Sequence, residues 1–407
     1  MNMENTLSKT KNVLIDLTNS EDTSEALNYL KTNFHGNVVK RFSDIKNTEK
    51  AIRMYVIGDI KLLDAKAKTV LIIKEYSFNY DNVNIDNFKI IGEGQVPIHL
   101  HNAGVFYRQF FEDENYFSKI EAEHQFQHLT ESTKQSVALR KGIYLSRITK
   151  KESSKNEEQF HFKLLRCSTN LTGPTDNFRT TDTHIVNKIN EAVKFDFEKK
   201  TELNHVLAQI YENKKKDKDH PKDVKAKIKA HSDKTKDMPK EGLIAFCTFY
   251  DNTNLDKLSP SKTNKFDSVY GKSSGLSRLL FKLKSSVNDA TLVKEFSVTL
   301  YPNSVFLIPL SINRLYTHEI RPSVLDIDLI PIRMGYVIRC SNLEAVYTND
   351  QTYIENEGEL IKLEPMVTEN LEDLRTSYYE ENKTVKRVDY GKVHFSMNTG
   401  DYKKPIY

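Results

Sequence analysis

Between residues 196 and 350 the chain alternates short apolar segments with turn-forming residues. The segments are short for helices, and their β-branched and aromatic residues are typical of strands. Segments with this pattern lie at residues 206–211, 243–250, 279–283, 296–301, 305–309, 314–318 and 335–340. Many short strands that are joined by turns predict a sandwich or a jelly roll.

The pattern changes on both sides of this region, and a chain of 407 residues usually holds two or three domains. Residues 1–95 alternate strand-like with helix-like segments and are predicted to form an N-terminal α/β extension. Residues 96–195 are predicted as a supporting region, and residues 351–407 as a charged C-terminal tail. The predicted fold class is therefore α+β, with the core at residues 196–350.

Composition limits the classes of protein that need consideration. The net charge is only +4, from 60 basic and 56 acidic residues, so a surface that binds nucleic acid would have to be local. Three widely separated cysteines argue against a disulfide framework and against a zinc site of the CxxC type. The sequence contains no secretory signal and no apolar run of about 20 residues that could span a membrane. A soluble protein of the cytoplasm or nucleus is expected.

One pair of residues has the spacing of metal ligands. His231 is followed two places on by Asp233. In a strand, residues i and i+2 point to the same side, so both side chains can reach one metal ion. A distant histidine would complete a facial triad, which leaves adjacent coordination positions open and suits non-haem iron. Taken alone, the HxD pair is a weak signal, because such pairs occur by chance.

The segments that surround this pair carry a resemblance to a known family. Downstream come the turn YPNS at 301–304, the segment RLYTHEI at 314–320, and the segment RMGYVIR at 333–339 with an arginine at each end. Upstream lies NHVLAQIY at 204–211. In this order the segments resemble the AlkB-like branch of the 2-oxoglutarate-dependent oxygenases, over about residues 200–342.

The resemblance implies a fold, a chemistry and a set of residue roles. The core would be a double-stranded β-helix, that is, a jelly roll. The protein would use Fe(II), 2-oxoglutarate and O2 to hydroxylate or demethylate a modified nucleic-acid base, with succinate and CO2 as products. The implied iron ligands are His231, Asp233 and His318.

The same resemblance assigns the residues that would bind the co-substrate. Arg333 would pair with the distal carboxylate of 2-oxoglutarate, helped by the Tyr211 hydroxyl, and Arg339 would approach the proximal carboxylate. Gln209 stands where the family usually has asparagine, and it is predicted as a further contact. The residue type is apt, because the guanidinium group offers a bidentate fork that lysine lacks.

The substrate is less constrained than the chemistry. Residues 214–236 contain ten lysines and lead into the HxD pair, so this loop is predicted to meet the phosphates of DNA or RNA. Phe178 and Arg179 are interpreted either as part of a lid that contacts the substrate or as a packed connector. The alternatives are the same chemistry on a protein side chain or small metabolite, and a non-catalytic binding module that keeps the fold. No partner protein is inferred.

A second group of metal-binding residue types lies in a predicted helix at residues 116–129. Glu123, His124 and His128 have helical spacing, and a helix can present ligands at i and i+4. Nothing else marks a metal site there, so this group is interpreted as a solvated helix face.

Overall fold

Strands dominate the protein, as the alternation of apolar residues predicts. The structure is a computed structural model that describes residues 10–19, 24–45, 52–63, 69–79, 88–130, 137–152, 156–166, 171–199, 201–218, 221–391 and 393–407. Within these residues the protein is a mixed α/β fold with several sheets.

The N-terminal region is a parallel sheet. Its strands are β1 (Asn12–Leu17), β2 (Asn37–Val39), β3 (Arg53–Asp59), β4 (Val70–Phe78) and β5 (Phe88–Ile91), in the order β2-β1-β3-β4-β5, with the helix α1 (Glu25–Asn33) between β1 and β2. Ser24 caps α1 by accepting a hydrogen bond from the Leu27 amide. The inner strands β1 and β3 are apolar runs whose side chains are buried on both faces, as is usual in parallel sheets.

The largest sheet runs through the middle of the protein. Its strands are β6 (Ile98–Leu100), β7 (Gly104–Tyr107), β8 (Gln127–Thr130), β9 (Val137–Ser146), β12 (Asp176–Asn177), β13 (His205–Tyr211), β15 (Leu243–Tyr250), β21 (Ser304–Pro309) and β23 (Arg333–Arg339). The central order is β9-β13-β23-β15-β21, and these neighbours are antiparallel. One face packs against the helices α2 (Tyr116–Glu123) and α3 (Thr180–Asp196).

A smaller antiparallel sheet covers the other face of this main sheet. It consists of β14 (Ile228–His231), β19 (Arg278–Leu283), β20 (Glu295–Thr299) and β22 (Tyr316–Arg321), in the order β14-β22-β19-β20. Aromatic side chains join the two layers, because the ring of Phe281 lies 6.4 Å from that of Phe246 and 5.7 Å from that of Phe306. The two sheets therefore form a sandwich with a shared apolar core.

The remaining elements surround this sandwich. They are β10 (Thr149–Glu152), β11 (Glu158–Leu164), α4 (Asn252–Leu255), β16 (Ser259–Pro260), β17 (Ser268–Tyr270), β18 (Ser273–Ser274), α5 (Leu310–Leu315), β24 (Leu343–Thr348), β25 (Gln351–Asn356), β26 (Glu359–Lys362) and α6 (Thr368–Lys383). The segment predicted as a charged tail includes β25, β26 and α6, and near its end Ile406 forms a parallel bridge with Asp176. The proposed domain boundaries stay predictions.

Two local predictions are corrected. The helix expected at residues 116–129 ends at Glu123, because β8 pairs with β9 and holds that stretch extended. The strand expected at residues 314–318 begins only at Tyr316, since the short helix α5 runs to Leu315. Among the described residues, no helix is both long enough and apolar enough to cross a membrane.

Candidate metal centre

The structure brings the HxD pair and the distant histidine together. His231 ends β14, and its Cα partner in the neighbouring strand β22 is His318. The two imidazole rings lie 4.5 Å apart. Oδ1 of Asp233 lies 3.6 Å from Nε2 of His231 and 3.9 Å from Nε2 of His318. Two atoms that each bind one ion at about 2 Å lie no more than about 4 Å apart, so one metal ion can reach all three groups.

The protonation states suit a metal ligand set. Burial opposes the charge on Asp233, but the guanidinium of Arg339 holds the pKa of this carboxyl well below its usual range. Arg339 does so by donating from Nε to Oδ2 at 2.8 Å, which leaves Oδ1 turned towards the histidines. Burial lowers the pKa of His318 to about 3, so its imidazole is neutral. An ionised carboxylate and neutral imidazoles are the forms that bind metal.

Contacts behind the ligands fix their orientation. Nδ1 of His231 lies 2.9 Å from the carbonyl of Lys229, so this nitrogen donates and Nε2 is left as the metal-facing atom. The backbone amide of Asp233 donates to Oδ1 of Asn313 at 2.9 Å, and Nδ2 of Asn313 donates back to the Asp233 carbonyl at 2.8 Å. Asn313 lies in α5, directly before the strand that carries His318, so it ties the two ligand segments together.

A second buried cation lies on the strand that carries Arg339. Arg333 on β23 is only 3% exposed, and among the described residues its Nε and Nη2 have no hydrogen-bond partner. Its guanidinium carbon lies 4.0 Å from the centre of the Tyr211 ring. A buried charge without a partner is destabilising, so such a cation is more readily explained by an anionic ligand than by a role in folding.

The neighbouring strand shapes the space around this cation. Tyr211 is the Cα partner of Arg333, and Gln209 is the Cα partner of Gly335. The Tyr211 hydroxyl donates to Oε1 of Gln209 at 3.0 Å. A Cβ atom on Gly335 would lie 2.9 Å from Nη1 of Arg333 and 3.2 Å from Cε2 of Tyr211, so a larger residue would push the stacked pair apart. The structure thus places Gln209, Tyr211 and Arg333 together, and Arg339 nearer the ligands.

Solvent reaches the ligand group from one side. The side chain of His231 is 39% exposed, whereas those of Asp233 and His318 are 8% and 5% exposed. The lysine-rich segment leads directly into this exposed ligand, because β14 ends at His231. Several of its lysines are occupied, since Lys215 pairs with Asp328 and Lys225 donates to the carbonyls of Ser323 and Leu325.

Other lysines of this segment remain available to an external anion. They are exposed and form no ion pair with a described residue: Lys216, Lys218, Lys222, Lys227 and Lys229. The last two of these flank the start of β14 and are the closest in sequence to His231.

The second group of metal-binding residue types is not a solvated helix face. His124 is buried just beyond the end of α2, and its Nδ1 lies 2.8 Å from Asp176 while its Nε2 lies 2.7 Å from Asp182. Burial alone would lower the pKa of His124, but these two hydrogen bonds raise it to about 9. Glu123, His124 and Asp182 are close enough for a metal, yet both imidazole nitrogens already donate to carboxylates.

The segment weighed as a lid is a packed connector. Phe178 packs against the apolar core beneath the main sheet. Arg179 donates from Nη2 to Asp176 at 2.8 Å. Both side chains therefore have partners within the fold, as a packed connector predicts. Asn313 and Gly335 are contributors that the sequence alone did not indicate, although Gly335 lies between the two arginines of the segment RMGYVIR.

Comparisons with known proteins add little to this geometry. No family model matches the chain, and no curated protein matches it. A solved structure of OsALKBH1 is similar with a TM-score of 0.35 and 10% identity, covering 60% of this chain and 99% of that one. The candidate metal centre is therefore interpreted from its own residues.

Proposed function

We propose that this chain is an Fe(II)- and 2-oxoglutarate-dependent dioxygenase and that its two packed sheets form a double-stranded β-helix. The observation that carries the proposal is the buried guanidinium of Arg333, whose Nε and Nη2 have no hydrogen-bond partner among the described residues. It lies on the same face of β23 as Arg339, which bonds to the ligand Asp233. A site that held only a metal ion would have no need for that cation. A co-substrate that carries a carboxylate at each end supplies the missing anion.

The donor set fits the proposed metal. Two neutral imidazoles and one carboxylate form the ligand type of non-haem iron oxygenases, and a site built from thiolates or from carboxylates alone would favour other metals. His231, Asp233 and His318 would hold the ion. Fe(II) bound there would supply the redox chemistry that couples conversion of 2-oxoglutarate and O2 to succinate and CO2 with oxidation of a substrate C–H bond.

The residues of the chain have separable tasks in this scheme. Arg339 keeps Asp233 ionised and turns its free oxygen towards the histidines. Arg333 would bind the distal carboxylate of 2-oxoglutarate, and Tyr211 holds the guanidinium plane from below. Gln209 accepts from Tyr211 and so keeps that ring in place. The open side at His231 leaves room for a substrate to approach.

The first test is succinate formation from 2-oxoglutarate by the full chain after anaerobic loading with Fe(II) and admission of air. At a 2-oxoglutarate concentration near the wild-type KM, Arg333→Met should reduce it almost to background, whereas the exposed Arg278→Met is the matched control and should retain it. His231→Ala should abolish it, with the exposed His128→Ala as its control. Metal-loaded wild type that forms no succinate would overturn the proposal and favour a binding module that keeps the fold.

We further propose a modified base in DNA or RNA as the substrate. Support comes from the five exposed lysines that form no ion pair with a described residue and that precede the exposed ligand His231 in the chain. Each lysine that neutralises a phosphate releases counterions, so binding should weaken steeply with salt. A protein side chain or a small metabolite is the alternative, for which such lysines have no obvious use.

The substrate proposal is tested by fluorescence anisotropy with single-stranded oligonucleotides between 50 and 200 mM salt. Lys227→Ser combined with Lys229→Ser should lower the slope of log Kd against log salt by about 1.5, since each lost phosphate contact removes about 0.7 to 0.9. The control is the exposed pair Lys61→Ser and Lys89→Ser in the N-terminal region. A slope that is unchanged in the first pair would favour the protein or metabolite alternative.

A further inference from the structure

The last turn of α6 contacts the backbone on both sides of the metal ligand Asp233. Oδ1 of Asn382 accepts a hydrogen bond from the amide of Ser232 at 2.7 Å. The carboxylate of Glu381 accepts from the amide of Thr235, with 3.2 Å to each oxygen, and also from the Thr235 hydroxyl. These partners are about 150 residues apart in the chain, so the contacts exist only because α6 docks there.

Glu381 is poorly explained by the helix that carries it. A negative charge in the last turn lies at the negative end of the helix dipole, where a basic residue would be favoured. The side chain is also only 3% exposed, and a buried carboxylate needs several hydrogen-bond donors. The donors are Thr235 and the Tyr390 hydroxyl. The burial of Glu381 at this position is therefore explained by its hydrogen bonds, chiefly those from Thr235 in the loop that follows Asp233.

The end of α6 is itself anchored to the small sheet. Lys284, directly after β19, donates from Nζ to the carbonyls of Glu381 at 2.7 Å and Thr384 at 3.1 Å. The hydroxyl of Ser286 donates to the carbonyl of Lys383 at 2.8 Å. Carbonyls of the last helical turn have no partner within the helix, so these bonds satisfy them and fix where the helix ends.

Three backbone amides of the loop at residues 232–235 therefore donate to side chains from elsewhere in the chain. Asn382 holds the amide before Asp233, Asn313 holds the amide of Asp233 itself, and Glu381 holds the amide two residues later. The Ser232 hydroxyl adds a bond to the Tyr316 carbonyl at 3.0 Å, in the strand that carries His318. A loop held in this way has little freedom to move its carboxylate.

We propose that Glu381 and Asn382 are positioning residues for the metal centre, so that the C-terminal helix belongs to the functional site. This inference rests on the proposed function, since it assumes that His231, Asp233 and His318 bind a metal ion. Neither residue touches the ion. Each removes the conformational freedom that the loop would otherwise lose on binding, and changes to such outer partners commonly weaken metal affinity by about 10- to 100-fold.

The test is titration of the metal-free full chain with Co(II), followed by calorimetry and by the visible absorption of the bound ion. Glu381→Gln removes the carboxylate charge and places an amide NH2 group, which can only donate, opposite the donors of Thr235 or Tyr390. Asn382→Ala removes the acceptor for the Ser232 amide. Both should raise the Kd for Co(II) by about 10-fold or more. The control is Glu380→Gln, because this neighbouring glutamate is exposed and should leave the Kd unchanged.

The outcomes separate this inference from the function on which it rests. Wild type that binds no Co(II) overturns the metal centre itself. Wild type that binds, with both variants within twofold of Glu380→Gln, overturns only the positioning role. Thermal unfolding of the metal-free forms shows whether a variant has merely lost its fold. If either variant does not fold, Thr235→Val decides, because it removes only the hydroxyl donor to Glu381: weaker binding by threefold or more supports the role and unchanged binding overturns it.

Discussion

Two groups of side chains in this protein look alike in composition and behave in opposite ways. His231, Asp233 and His318 lie above the face of β23 that carries Arg333 and Arg339, whereas Glu123, His124 and Asp182 lie below the opposite face, where Tyr336 donates to Asp182 at 2.7 Å. In each group the ligand-type atoms lie within 4.8 Å of one another.

The two groups, called upper (His231, Asp233, His318) and lower (Glu123, His124, Asp182), differ in the protonation of their buried histidine and in its hydrogen-bond partners. In the upper group burial lowers the pKa of His318 to about 3, so the ring is neutral and keeps a lone pair for a metal. In the lower group the hydrogen bonds that His124 donates to two carboxylates raise its pKa to about 9, so the ring is a cation with both nitrogens occupied. Residue types in proximity therefore do not define a metal site, because their hydrogen bonds decide whether a lone pair is available.

The largest expected effect comes from removing one ligand from each group, and the contrast between the two groups is wrong if both variants lose metal. His318→Ala should weaken Co(II) binding by more than about 1000-fold, since the loss of a ligand exceeds the roughly 10- to 100-fold effect of an outer partner. His124→Gln should leave the metal Kd unchanged. Calorimetric titration of both variants measures this, and metal loss in folded His124→Gln would show that the lower group also binds.

Arg333→Met tests the contrast between two buried cations. Both nitrogens of His124 are bonded to carboxylates, whereas Nε and Nη2 of Arg333 have no hydrogen-bond partner among the described residues. The KM for 2-oxoglutarate should rise by about 100- to 1000-fold, because truncating one member of a buried charge pair costs about 3 to 4 kcal/mol. Without co-substrate the variant should be as stable as wild type or more stable, since an uncompensated buried charge is removed. Steady-state kinetics and urea unfolding test the two halves, and marked destabilisation of the variant would identify Arg333 as a structural residue.

The lower group should be visible as a pH dependence of stability. The folded-state pKa of His124 is about 9, above its ordinary value of 6.5, so its stabilising effect is complete below pH 6.5 and is lost as pH rises towards 9. The loss should be about 2 to 3 kcal/mol. Urea unfolding of wild type from pH 6.5 to 9, with His124→Gln as the reference, measures it, and parallel curves would contradict the assignment of a cation.

The smallest effect concerns the strand that the two groups share. Tyr336→Phe removes one hydrogen bond to the buried Asp182 and should lower the free energy of unfolding by about 1 to 2 kcal/mol. Because the change lies on the face away from the metal centre, the Co(II) Kd should stay the same. Weaker metal binding in this variant would mean that β23 couples the two groups.

Local sequence patterns predict many of the strands and one feature of the candidate metal centre. Alternating apolar residues indicated the strands that became the two sheets, and the α+β prediction agrees with the fold at the level of a mixed, strand-rich protein. The spacing of His231 and Asp233 predicted that they share one side of the chain. The double-stranded β-helix, the iron and 2-oxoglutarate, and the roles of the predicted residues stay proposals.

The errors arose where a residue's surroundings come from elsewhere in the chain. His124 has helical spacing from its neighbours, yet the strand β8 and two distant carboxylates determine its state. The C-terminal segment is highly charged, and its sequence gives no sign that Glu381 and Asn382 bond to the loop near residue 233.

The sequence by itself determined which segments extend, which side of a strand a residue occupies, and which residue types could bind a metal. These properties follow from periodicity and side-chain chemistry, which act over a few residues. Only the tertiary structure decided that His318 meets His231, that Arg333 is buried with two nitrogens that have no hydrogen-bond partner among the described residues, and that His124 is charged. Such features depend on burial and on long-range hydrogen bonds, and these exist only after distant segments have packed together.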